Sequence, residues 1–157
     1  VNQSHERYSS KKAFDQAAAL QAELGERSHG RFALKQSGKC LQPQGGKTDD
    51  GTPMVLTACT ELPFEYIIPS KWWHNPDYFY LRHVPTGKCV HQIAGSWPFG
   101  LVLYTGCDLT DTVGVREYRQ FKWDGTRLRS IIYPWNDYGK FEVVEAEKCL
   151  TPPAPTV

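Results

Sequence analysis

Three stretches of the chain end alike: Phe32-Ala33-Leu34-Lys35-Gln36-Ser37-Gly38-Lys39-Cys40-Leu41-Gln42, Leu81-Arg82-His83-Val84-Pro85-Thr86-Gly87-Lys88-Cys89-Val90-His91 and Phe141-Glu142-Val143-Val144-Glu145-Ala146-Glu147-Lys148-Cys149-Leu150-Thr151. Each opens with a large apolar residue eight positions before a cysteine and ends Lys-Cys followed by Leu or Val. In the first two a glycine precedes the lysine. A strand, a tight turn and a second strand satisfy this pattern, with the glycine supplying the positive φ of the turn.

Working outward, the first two stretches continue in parallel. Gly51-Thr52-Pro53-Met54-Val55-Leu56-Thr57-Ala58-Cys59 matches Phe99-Gly100-Leu101-Val102-Leu103-Tyr104-Thr105-Gly106-Cys107, an apolar strand that ends on a cysteine. A short aromatic strand follows each, Phe64-Glu65-Tyr66 and Phe121-Lys122-Trp123, alternating with period two. The second runs on into Asp124-Gly125-Thr126-Arg127-Leu128-Arg129, a hairpin with Asp-Gly at its turn. A unit of about 50 residues made of short strands cannot bury its own aromatic face, so the units must pool their faces in one core.

The cysteines fit the same repeat. Cys40 to Cys59 is 19 residues and Cys89 to Cys107 is 18, near-equal loops that predict two local disulfides in equivalent places and an oxidising compartment. Cys149 is left over, as a free thiol or an intermolecular bridge. No CxxC pair is present, so a zinc site is not expected.

These residues resemble the ricin-B-like (R-type lectin) β-trefoil family. That family shows Gly-Lys-Cys-Leu, then Gly-Thr-x-(Leu/Val)-x-x-x-x-Cys, then an aromatic Gln-x-Trp-like strand. Gly38-Lys39-Cys40-Leu41, Gly51-Thr52 through Cys59, and Phe64 with Tyr66 stand in those places; in the second unit they are Gly87-Lys88-Cys89-Val90, Gly100 through Cys107, and Phe121 with Trp123. The resemblance covers residues 31–130 well and 139–151 in part. The repeat is degenerate: Leu62 and Arg119 hold the Gln place of the Gln-x-Trp motif. The third unit ends soon after Cys149, in Pro-Pro-Ala-Pro-Thr-Val, so its lobe reads as incomplete and in need of a cover.

The resemblance implies an all-β fold, a ricin-B-like β-trefoil over 31–151, preceded by a helical extension over 1–30 and followed by a Pro-rich tail at 152–157. It also implies a sugar-binding pocket in the second unit's hairpin. A sugar site needs an aromatic face for the ring and two or three polar groups for hydroxyls. Trp97 or Tyr104 offers the face, and His91, Gln92 and Asp108 the polar groups, with Ser96 nearby; the competing reading makes all of them ordinary loop residues. The first unit has Gln42, Gln44, Asp49 and Asp50 but no aromatic, and is the weaker candidate.

Residues 9–25 read as a helix: Ala and Leu are strong formers, Ser9 or Ser10 can cap the start, and Gly25 stands where the helix stops. Ala13, Ala17, Leu20 and Leu24 form a narrow apolar stripe with Phe14 beside it. The helix lies on the trefoil, plugs the gap of the short third unit, or enters a partner. The run Trp72-Trp73-His74-Asn75-Pro76-Asp77-Tyr78-Phe79-Tyr80 links the first two units. Either it packs as a cap, or it shows one of Trp72 and Trp73 to solvent as an interaction patch. Asn75-Pro76-Asp77 and Trp135-Asn136-Asp137 read as turns rather than as calcium–sugar tripeptides.

Composition excludes several classes. The net charge of +1 gives no reason to expect nucleic acid. No apolar run approaches the ~18 residues of a membrane span. Of twenty aromatic residues, eighteen lie after residue 31, which suits a β core rather than a helical bundle. The histidines, His5, His29, His74, His83 and His91, are scattered, and no HExxH, GxSxG or phosphate loop occurs, so neither catalysis nor a metal or other cofactor is expected. The chain opens Val1-Asn2-Gln3-Ser4 without Met, which reads as a processed or a trimmed chain from which a secretory leader could have been lost, and Asn2-Gln3-Ser4 is a glycosylation sequon. The sequence thus points to a secreted, non-catalytic carbohydrate-binding module whose partner is a glycan or glycoprotein. The rival reading is a protein-interaction or cell-binding toxin subunit that has lost sugar binding. Assembly as a homodimer or within a heteromer would run through Cys149 or the incomplete third lobe.

Overall fold

The structure, a computed structural model, describes residues 10–24, 30–68, 77–92, 100–107, 118–130 and 137–145. The first unit is four antiparallel strands: β1 (Phe32–Gln36), β2 (Lys39–Pro43), β3 (Thr52–Thr57) and β4 (Phe64–Ile67). Gln36 pairs with Lys39 across the two-residue turn Ser37-Gly38, whose φ values are 53° and 79°. Two consecutive positive φ angles match the right-handed twist of a hairpin, and glycine meets that demand without Cβ strain. The second unit repeats the order with β5 (Tyr80–His83), β6 (Lys88–Gln92), β7 (Leu101–Gly106) and β8 (Phe121–Asp124). Its first turn is longer and is held by its own side chains: Thr86 Oγ1 lies 2.8 Å from His83 Nδ1 and accepts from Lys88 N at 3.2 Å.

Both expected disulfides are formed. Cys40 joins Cys59 with a Cα separation of 5.0 Å, and Cys89 joins Cys107 at 5.3 Å. Each closes a loop whose lost entropy in the unfolded chain stabilises the fold by about 3 kcal/mol. Cys149 lies outside the described residues, as do the tail 152–157 and the whole of the extension before Ser10.

The third part differs from the reading of the sequence. The Lys148-Cys149 match suggested a unit opening at Phe141, but the chain turns back much earlier. β9 (Arg127–Ser130) follows β8 as β5 follows β4, across the loop Gly125-Thr126, and pairs with β10 (Asp137–Lys140). Phe141 then leads directly into β11 (Glu142–Glu145), which pairs not with a following strand but with β1, in register Phe32↔Glu145 to Lys35↔Glu142. The strand seen in the sequence at 141–145 is therefore a closing strand. A local pattern shows that a strand exists, but its partner is 110 residues away in the chain and leaves no mark in the local spacing.

Two closures result. One runs through the hairpins, β1-β2-β3-β7-β6-β5-β4 and back to β1 by the pair Phe32↔Phe64. The other forms the wall around the aromatic core: β1–β4, β4–β5, a two-way bridge between Phe79 and Phe121 with both N–H···O distances 2.9 Å, β8–β9, β9–β10, and β11–β1. Within β10, between Asp137 and Lys140, the ladder shifts register at a bulge. Gly139 sits there with φ 91°, and the Gln36 amide donates to the carbonyls of Tyr138 (3.0 Å) and Lys140 (3.1 Å) on either side of it. A Cβ at this glycine would lie 2.5 Å from Gln36 Nε2.

Period-two alternation sends Phe32, Leu34, Phe64, Tyr66, Phe79, Leu81, Phe121 and Trp123 inward, all buried. Helix α1 (Ser10–Leu24) completes this core. Ala13, Phe14 and Ala17 are buried, and the Phe14 ring packs 4.9 Å from Phe79 and 5.6 Å from Tyr66. Tyr66 and Phe79 lie where β4 ends and β5 begins, the end of the wall away from the turns leading into β2 and β6. The helix thus covers that end. Ser10, expected as a cap, instead donates its hydroxyl to the carbonyl of Phe141 at 2.7 Å. The sequence reading asked for a cover over the edge of the third lobe; there β11 pairs with β1, and the helix covers this end of the wall instead. The side chains of Leu20 and Leu24 are outside the described set.

Two substitutions test this architecture by denaturant titration. Phe14→Ala removes a ring with two aromatic neighbours and should lower the unfolding free energy by about 3 kcal/mol; a change under about 0.5 kcal/mol would show that the helix does not close the core. Gly139→Ala, which asks a Cβ to adopt positive φ against the Gln36 amide, should cost about 1–3 kcal/mol.

Candidate functional site

The outer face of the β6–β7 hairpin gathers the chemistry that the sequence marked. Val90, Leu101 and Leu103 point into the core, so Cys89, His91, Val102 and Tyr104 lie on the other face. Cys89 packs there with Ile67 and Tyr80, and with Cys107 of the same disulfide, in a second small apolar cluster. This cluster is a floor that fixes the hairpin against β4 and β5.

On that floor His91 is only 4% exposed. The Tyr104 ring, 39% exposed, lies 5.3 Å from the imidazole at an angle of 57°. Burial pushes the His91 pKa down to about 3, the Arg119 guanidinium lowers it further, and Asp50 opposes in part. At neutral pH the ring is therefore uncharged. Its Nε2 has no hydrogen-bond partner among the described residues. Asp50 is itself held by Lys88, Nζ to Oδ1 2.9 Å.

Two residues that the sequence reading did not assign to the site belong to it. Arg119 is 1% exposed, with its guanidinium carbon 5.2 Å above the Tyr80 ring. Its place in the degenerate Gln-x-Trp motif was visible, but a cation there reads as a surface residue until the aromatic lid is known. Tyr118 is 38% exposed, and its carbonyl accepts the Gln92 backbone N–H at 2.7 Å. Tyr104 and Tyr118 are the exposed large aromatics among the described residues.

Of the expected constellation, the structure brings together His91 and Tyr104 and separates Gln92 from them. Gln92 follows His91 in the strand, pairs with Leu101 and is buried on the core side, where its Oε1 has no hydrogen-bond partner among the described residues. Consecutive strand residues cannot serve one pocket on one face. Trp97, Asp108 and Ser96 lie outside the described residues, as do Trp72, Trp73, Asn75, Trp135 and Asn136. In the first unit, Gln42 is occupied structurally, its amide reaching the carbonyl of Ala58 (3.2 Å) and Thr60 Oγ1 (3.4 Å). Among the described residues no group of three or more His, Cys, Asp or Glu could hold a metal ion, and no helix is long and apolar enough to cross a membrane.

No family model matches the chain, and no curated protein matches it. Among solved structures, the chain is similar to a designed threefold-symmetric protein, ThreeFoil, at 13% identity and a TM-score of 0.47, over 73% of this chain and 86% of that one.

The electrostatics of His91 yield a pH prediction. Its folded pKa lies below the unfolded value near 6.5, so the unfolded chain takes up the proton first. Its contribution is fully present above pH ~6.5 and is lost as pH falls toward ~3. His83, lowered chiefly by burial, acts in the same direction. Melting temperatures from pH 7 to 4 should fall more steeply for the wild type than for His91→Gln, which carries no titrating ring. Parallel curves would mean that His91 is not buried as described.

Proposed function

We propose that this chain is a secreted, non-catalytic glycan-binding module on a β-trefoil scaffold whose third hairpin is abbreviated. The scaffold reading rests on the wall of β1, β4, β5, β8, β9 and the β10–β11 strand, and on two units that carry equivalent hairpins and disulfides. The secreted reading rests on those disulfides, which need an oxidising compartment.

The observation that carries the binding reading is the Tyr104 ring, exposed on one face and held from behind by a buried, neutral His91. Apolar sugar faces stack on rings that are presented rigidly, and a fixed ring loses little entropy on binding. His91 supports the ring. A group that titrates near pH 3 has no proton to give at neutral pH, which favours binding over acid catalysis. One shallow site of this kind should bind with Kd of about 0.1–1 mM, and useful avidity then calls for assembly.

A glycan array followed by calorimetry on its best ligand tests this. Tyr104→Phe should retain binding, because the stacking face survives, while Tyr104→Ala should lose it with the fold intact by circular dichroism. Retention equal to wild type in Tyr104→Ala, or no glycan retained by the wild type, would favour instead a protein-interaction module using Trp72 and Trp73.

A further inference from the structure

The two units differ most on the outer face beside their first strands. Counted back from the Lys-Cys pairs, Ala33 is the counterpart of Arg82, and each faces the preceding wall strand: Ala33 pairs with Val144, Arg82 with Glu65. Counted from the aromatic strands, Leu62 is the counterpart of Arg119. The second unit fills this region with Arg119 and with an Arg82–Glu65 ion pair of 2.9 Å. The first unit, with three shorter apolar side chains, leaves a cavity of about 300 Å³.

That cavity has a built character. Ala33, Val144 and Leu62 and the Cys40–Cys59 disulfide give it apolar walls, and Lys35 and Glu61 also line it. The Leu62 wall is fixed by Arg31, whose Nε donates to the Leu62 carbonyl at 2.8 Å. Lys35 stands opposite Glu142 in register, yet neither Lys35 nor Glu61 makes an ion pair or hydrogen bond among the described residues. A cation and an anion therefore line one apolar cavity, and the Glu61 carboxylate also acts on His83 through space. No aromatic ring lines it, so it is unsuited to stacking a sugar.

We infer that this cavity is a second binding site, for a small zwitterion with an apolar body, of the class of free aliphatic amino acids. Lys35 takes the carboxylate, Glu61 takes the ammonium, and the aliphatic side chain lies against Ala33, Val144 and the disulfide. The size stands at the lower limit of ligand pockets, which restricts the occupant to a small molecule. The inference is independent of the glycan reading, because it uses a different unit and different side chains.

Methyl and amide NMR titrations of the whole chain test it with three probes that share one isobutyl body: L-leucine, isoamylamine, which keeps only the ammonium, and 4-methylpentanoate, which keeps only the carboxylate. Leucine should shift the resonances of Ala33 and Val144 with Kd of about 1 mM, and each single-charge probe should bind about tenfold more weakly. Lys35→Met should reduce leucine to the level of isoamylamine, and Glu61→Gln to that of 4-methylpentanoate. Ala33→Arg, which copies the second unit, should abolish the shifts while glycan binding is unchanged. Equal binding of the three probes, shifts centred away from Ala33 and Val144, or no shift at 20-fold higher leucine than that Kd would each overturn the inference.

Discussion

Tyr66 is the point on which the packing converges. It is fully buried, its ring stacks on Phe32 at 4.4 Å and meets Phe79 edge-on at 4.9 Å, and Phe14 of the helix packs edge-on from a third side. A buried hydroxyl must find a partner, and Trp123 Nε1 donates to it at 3.1 Å. Four elements, α1, β1, β4 and β8, and Phe79 just before β5, therefore share one set of contacts. Burial also pushes the Tyr66 pKa far upward, so the phenol stays protonated. The closure of the wall and the docking of the helix meet in this cluster.

Given that shared core, the two units are free to differ outside it. Inward positions carry the same demand in both, large apolar side chains at every second residue. Outward positions answer to no such rule. The second unit buries Arg119 over Tyr80 and sets His91 beside an exposed tyrosine. The first unit has Ala33 and Leu62 in the corresponding places and leaves a hollow. Duplicated scaffolds with divergent outer faces present two surfaces of different chemistry at fixed separation, and neither surface needs the other in order to form.

Much of this was readable in the residues. The glycines of the tight turns, the alternation of Phe64 with Tyr66 and Phe121 with Trp123, and the equal spacing of the cysteine pairs are local constraints. Backbone φ, strand parity and loop length act over a few residues, so their traces stand in the sequence. The same parity separates His91 from Gln92, a distinction that resemblance to a sugar site obscured and that simple counting along β6 restores. The helix too was visible, through its Ala and Leu content and the position of Gly25.

Only the tertiary structure decided where these pieces meet. The Ser10 hydroxyl finds a carbonyl 131 residues away, β1 finds β11 across most of the chain, and Gln36 fills the space beside Gly139. None of these pairings is encoded in a spacing, because each is settled by which surfaces remain unburied once the aromatic core has formed. Arg119 shows the same point at the site: by type it belongs in solvent, and only the Tyr80 ring beneath it and the chain around it make a buried arginine tolerable. The amino-acid order determined the units, their turns and their disulfides. The competition for burial determined which strand closes the wall, which end the helix covers, and which of two homologous faces is filled and which is open.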